Sequence, residues 1–179
     1  ASVSGLFAND DAGKYLIEDF IKYGVDVSGA VMLDNKTTFK SYIVLAETTK
    51  TRTCVFDRGN VPDDPTLLDF SVLDGADILH LDGNYLNCAI EMAKKAKELG
   101  VKVSLDAGGL YENIHTLLPF VDVLIPSAEF AMGFTGKTDI PSAIMDLNER
   151  YSPEILVVTD GSNGGYYFDN GKVYHYDSV

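Results

Sequence analysis

Three short apolar runs in this chain each stop at a polar residue: ILHL at Asp82, VKVSL at Asp106 and ILVV at Thr159. Bulky and β-branched residues in runs this short suit strands covered on both faces. Between them lie stretches with helical spacing, and strands alternating with helices imply right-handed parallel crossovers in an α/β sheet. The first such helix is expected over 86–99: Leu86, Ala89, Ile90, Ala93 and Ala96 share a face, Lys94, Lys95 and Lys97 point outward, and Gly100 stops it. A short helix near 114–118, a strand over 121–125 and a turn and helix over 126–134 follow. Pro141 belongs in the first turn of a further helix that must end before Pro153. A hairpin of 164–168 with 173–176 closes the pattern.

The first third reads differently. After an apolar run at 3–7, Asn9, Asp10 and Asp11 are candidate N-caps for a helix through Tyr23, with Leu16, Ile17, Phe20 and Ile21 as its apolar stripe and Gly24 as its end. Residues 30–33, 38–47 and 51–56 then read as three short strands rich in Thr, Val, Ile, Tyr and Phe, a β block set apart from the layered pattern. Gly59, Pro62 and Pro65 mark 57–66 as a loop.

With 46% hydrophobic residues among 179, the chain can bury a substantial core. Its 27 acidic against 14 basic residues give a net charge of -13, which repels nucleic acid and anionic membrane. Cys54 and Cys88 lack metal-ligand spacing and read as reduced thiols. No apolar run is long enough to cross a bilayer and the opening residues lack the order of a leader, so the expected location is cytoplasmic.

Ligands of open α/β sheets sit outside the carboxyl ends of the strands. Asp82 and Asp106 could there accept hydrogen bonds from sugar hydroxyls, or each could simply cap the turn that follows. Thr159 precedes Gly161, Gly164 and Gly165, a segment whose backbone N–H groups could receive an anion; such a cluster is equally ordinary hairpin chemistry. His80 shares a strand face with Asp82, and a lone histidine there is more often a packed residue than a catalyst. Arg52 and Arg58 flank the last strand of the β block and could meet a phosphate or carboxylate, or be solvated charges.

The order of these segments resembles the ribokinase-like, or PfkB-type, carbohydrate kinases over essentially the whole chain. GLFANDDAG at 5–13 is similar to that family's Gly-x-x-Gly-Asp-Asp-x-x-Gly segment, YGVDVS at 23–28 to its Gly-Val-Asp turn, and TRTCVFDRGN at 51–60 to its Arg-Thr strand ending in Arg-Gly-x-Asn. ILHLDG and VSLDAG resemble two of its core strand ends. VDVLIPSAEFAMGFTG at 121–136 resembles its Asp-Val-Leu-x-Pro-Asn-x-x-Glu block, and VVTDGSNGG at 157–165 its Thr-x-Gly-x-x-Gly nucleotide loop.

The resemblance implies a three-layer α/β/α core with a mostly parallel sheet and a small β-sheet lid. Residues 1–29 would begin the core, 30–60 form the lid and 61–179 make the nucleotide-binding core. It implies transfer of the γ-phosphoryl group of ATP to a hydroxyl of a sugar or sugar-like molecule. A nucleoside acceptor, or a sugar- or nucleotide-binding member without catalysis, is the alternative. Asp82, Asp10, Arg52 and Asp106 would serve the acceptor. Thr159, Gly161, Gly164 and Ser127 would hold ATP, and Glu129 would serve Mg²⁺, with a monovalent cation as a second ion. Lid strands in such kinases often pair in a homodimer. Two departures stand out. Ser127 and Phe130 occupy the places of the family's Asn and Glu, with Glu129 one position early. The family's glycine-rich sugar-binding segment would precede residue 1, and its catalytic Asp, in a Gly-Ala-Gly-Asp motif, would follow Val179.

Overall fold

The computed structural model describes residues 1–49 and 51–178, so the position expected for the proton-abstracting Asp, past Val179, lies outside them. The chain forms two compact units, residues 1–72 and 73–179.

In the first unit, β1 (Ser2–Ala8), α1 (Asp11–Lys22) and β2 (Asp26–Leu33) make one strand–helix–strand crossover, with β1 and β2 parallel from Ser4 opposite Gly29 to Ala8 opposite Leu33. The Asp10 side chain caps α1 by accepting from the Gly13 N–H. A separate antiparallel hairpin joins β3 (Lys40–Ala46) to β4 (Thr51–Asp57), in register from Lys40 opposite Asp57 to Ala46 opposite Thr51. The expected three-strand block therefore divides: residues 30–33 belong to β2 and pair with β1, not with the hairpin. Ala30, Val31, Met32 and Leu33 are each half-buried, as a crossover strand requires, whereas every residue of β3 and β4 with a described surface is exposed. Strand β3 also begins two residues later than expected, because Thr38 gives both its N–H and its hydroxyl to Asp10.

The second unit is a six-stranded sheet in the order β10-β9-β8-β7-β6-β5. Strands β5 (Ile78–Leu81), β6 (Lys102–Ala107), β7 (Val123–Pro126) and β8 (Ile155–Thr159) are parallel, and β9 (Gly165–Asp169) and β10 (Lys172–Tyr176) are antiparallel. The helices between them are α2 (Leu86–Leu99), α3 (Ala128–Thr135) and α4 (Ile140–Tyr151). Since the sheet grows in one direction through like-handed crossovers, these helices cover one face. The residues under them, Val103, Leu105, Leu124, Leu156 and Val158, are at most 2% exposed. Ala93 and Ala96, both fully buried, let α2 lie close on the strands. The opposite face carries Ile78, Ile155, Tyr167 and Tyr174, each 38–52% exposed.

Between β6 and β7, the helix expected near 114–118 is two 3-10 turns, Ile114–Thr116 and Leu118–Phe120. Pro119 sits within the second of these and cannot donate to a continuing helical ladder. Asp122 ties three elements together: it accepts from Lys97 Nζ of α2 at 2.6 Å and from the Val103 N–H of β6 at 2.8 Å. Burial pushes its carboxyl up, but these partners outweigh it and hold the group below the usual carboxylate range.

Candidate functional site

Strand register places the sequence candidates of the second unit. Residues directly opposite one another share a sheet face, so Asp106 opposite Ile125, and Ser127 bridged to Thr159, lie on the same side. This is the face opposite the helices, and the two pairs lie at its carboxyl edge. His80, Ser104, Val123 and Ile155 form the row beneath. His80 Nδ1 lies 3.2 Å from the Ser104 hydroxyl, a pairing that accounts for the histidine as a packed polar residue. Asp82 follows β5 by one residue. Its carboxylate accepts from the Asn84 N–H and from Asn84 Nδ2, both at 2.9 Å, so it closes its own turn. Each oxygen still has a lone-pair direction for a further donor. Asp106 and Thr159 are exposed.

Ser127 caps α3, its hydroxyl accepting from the Phe130 N–H at 3.1 Å. Phe130 is fully buried and stacks on Phe134 at 5.4 Å. At this position, then, the chain has an aromatic core residue facing away from solvent. Glu129 is exposed in the first turn of α3. Among the described residues no three His, Cys, Asp or Glu side chains gather where they could hold a metal. Mg²⁺ commonly takes only one or two carboxylates beside water and substrate phosphates, a donor type that the exposed Glu129 supplies.

The glycine segment after Thr159 is a tight turn. The Asp160 N–H donates to the Gly164 carbonyl at 2.9 Å, and the Gly164 N–H to the Gly161 carbonyl at 3.2 Å. Two of its three glycines, Gly161 and Gly164, are glycines for different reasons. Gly164, with φ of +83°, lies so close to the Tyr176 carbonyl that any Cβ would collide with it. Gly161, with φ of +53°, faces open space with no heavy atom within 4 Å of a Cβ there. An exposed hydroxyl beside an open glycine at a strand's carboxyl end fits a phosphate group of a nucleotide.

Asp10 and Arg52 belong to the first unit. The Asp10 carboxylate meets the Gly13 N–H at 2.8 Å, the Thr38 N–H at 3.0 Å, the Thr38 hydroxyl at 2.5 Å and Lys40 Nζ at 3.9 Å. The Thr38 bonds, then the Gly13 bond, hold its carboxyl far below the usual range. So Asp10 already has structural work, binding the segment before β3 to the start of α1. Arg52 is exposed on β4 opposite Leu45. Arg58 stacks over Phe56, 5.4 Å to the ring centre, and Asn60 accepts from the Thr37 N–H at 2.7 Å. Two residues are not singled out by sequence: Thr38, which carries no motif, and Tyr111, whose ring lies against Gly83 and Gly109 and whose signal is an aromatic residue two positions after Gly109.

The family model described as pfkB family carbohydrate kinase matches residues 1–179. A search of curated proteins found no match. Among solved structures, the chain is similar to ribokinase from Thermotoga maritima (21% identity, TM-score 0.78, covering 100% of this chain and 60% of that one). It is also similar to adenosine kinase from Sinorhizobium meliloti (18%, 0.80, covering 100% and 58%). A third is an E. coli protein described as a ribokinase II, solved with ATP and Mg²⁺ (17%, 0.83, covering 99% and 62%). The chain thus has the same mixed α/β fold and spans less than two thirds of each of these structures.

Proposed function

Because the chain belongs to the pfkB family of carbohydrate kinases, we propose that the protein transfers the γ-phosphoryl group of ATP to a hydroxyl of a sugar or nucleoside. The observation that carries this reading is the register that sets Asp106, Ser127 and Thr159 at one carboxyl edge of the sheet, beside the open turn at Gly161. Thr159 and the Gly161 backbone receive the nucleotide's phosphates, with the Ser127 hydroxyl on the adjoining strand. Asp82 and Asp106 accept hydrogen bonds from acceptor hydroxyls. Arg52 and Asp10 belong to the first unit, where Arg52 is exposed on β4 and Asp10 holds the segment before β3. Mg²⁺ would neutralise phosphate charge when bound, with Glu129, exposed in the first turn of α3, as the carboxylate proposed for it and a monovalent cation as a second ion. Phosphoryl transfer depends mainly on positioning and charge stabilisation, which fits a site built of strand ends and backbone.

Residues 30–60 include the proposed lid, and its working part is the β3–β4 hairpin. With Tyr42, Val44, Leu45 and Val55 each 59–70% exposed, a two-stranded ribbon of this kind gains from pairing with a second copy. The protein is taken to work in the cytoplasm; among the described residues no helix is long and apolar enough to cross a membrane. The buried Phe130 favours a second reading, ligand binding without turnover. ADP release by the full-length protein with Mg²⁺-ATP and D-ribose, D-fructose or adenosine decides between them. A Thr159→Val variant is expected to raise the KM for ATP about tenfold, roughly the loss of one hydrogen bond to a charged group, with little change in thermal stability. An unchanged KM would remove Thr159 from the phosphate site.

A further inference from the structure

Behind the two acidic strand ends lies a side chain with no place in the reading above. Tyr111 is half-buried, and its ring lies against two glycines at once. A Cβ on Gly83 would sit 3.2 Å from Tyr111 Cδ2 and Cε2, and one on Gly109 3.4 Å from Cζ. Gly83 directly follows Asp82, and Gly109 lies three residues after Asp106. The ring therefore bridges the turn that carries Asp82 and the segment that follows Asp106 at the end of β6. It is itself well anchored: the Tyr111 N–H donates to the Gly109 carbonyl at 3.0 Å, and its carbonyl accepts from the Ile114 N–H at 3.3 Å. Ile114, 3% exposed, backs Gly83 from the core side. Left-handed backbone is concentrated nearby, at Gly83 (φ +82°), Tyr85 (φ +47°) and Asn113 (φ +60°). For Tyr85 and Asn113, which are not glycines, such a conformation persists only where surrounding contacts enforce it.

We infer that Tyr111 is a positioning residue: its ring clamps the Asp82–Gly83 turn to the segment after Asp106 and so fixes the spacing of the two carboxylates that receive the acceptor. This deepens the kinase reading and rests on it. The clamp rests on a flat ring against two glycines and on no hydrogen bond from its hydroxyl. Phe at this position should therefore serve, while Leu, which keeps apolar bulk without planarity, should not.

The test uses the full-length protein with Tyr111→Phe and Tyr111→Leu, the second chosen to keep the fold. Amide hydrogen exchange across residues 83–84 is expected to quicken at least tenfold in Y111L and to match wild type in Y111F, with exchange at core Val158 unchanged in both. In steady-state assays, Y111L is expected to raise the KM for the accepted sugar or nucleoside about tenfold or more, leaving the KM for ATP within about twofold; Y111F restores the wild-type value. Unchanged exchange at 83–84 in Y111L, or equal rises in both KM values, overturns the inference. Absence of turnover by the wild type would instead fail the kinase reading, and the exchange result would still decide whether the clamp exists.

Discussion

Asp10 and the glycines of the last turn show how one residue type can do different work at different places. The Asp10 carboxyl lies below its ordinary value of 3.8 in the folded protein. Its ionised form therefore contributes stability that is complete above that value and is lost as pH falls toward the folded pKa. A D10N variant should melt lower than wild type at pH 7 and lose less stability than wild type on acidification below about pH 4, as read by thermal unfolding across pH. Parallel melting curves at all pH values would contradict this account. Gly164→Ala forces a Cβ onto the Tyr176 carbonyl at a positive φ and should cost about 3 kcal/mol. Gly161→Ala meets only the backbone penalty, about 1 kcal/mol, and should weaken ATP binding out of proportion to its effect on stability. Calorimetry of both variants checks the contrast; equal effects on stability would show that the turn is simply a turn. Sequence could mark both glycines, but not which one a strand crowds and which faces solvent.

At the scale of elements, most of the pattern was legible because it rests on local signals. Gly100 and Gly136 end α2 and α3 in left-handed conformation, and Asp139 with Pro141 starts α4. What sequence grouped wrongly was β2. A short β-rich run beside two others looks like a third hairpin strand, and only the pairing with β1 through α1 assigns it to a crossover. The two turns at 114–120 were misread because apolar spacing there reflects burial of Ile114, Leu117 and Leu118, which short turns achieve as well as a helix. The exposed hairpin gives this scale its own prediction. Leu45→Asp combined with Tyr42→Asp, one substitution on each hairpin face, should convert a dimer to a monomer in light scattering without lowering secondary-structure content. A wild type that stays monomeric at high concentration would contradict the pairing.

For the whole molecule, the register carries more of the functional argument than any single motif. Alternation alone predicted Asp106 and Thr159 at strand ends, yet their common face follows from pairing β6 to β7 and β7 to β8, which no local signal encodes. The buried Phe130 likewise became informative only in three dimensions, where it proved to be core packing on Phe134. The central claim is a kinase whose nucleotide and acceptor meet at this edge. The most direct test is ADP release by the full-length protein with Mg²⁺-ATP against D-ribose, D-fructose and adenosine, run beside an Asp82→Asn variant. Acceptor-dependent release by wild type, with the variant's KM for that acceptor raised about tenfold, is the predicted result. Saturable acceptor binding without any ADP release, in folded protein, would contradict the account and assign this edge to ligand binding alone.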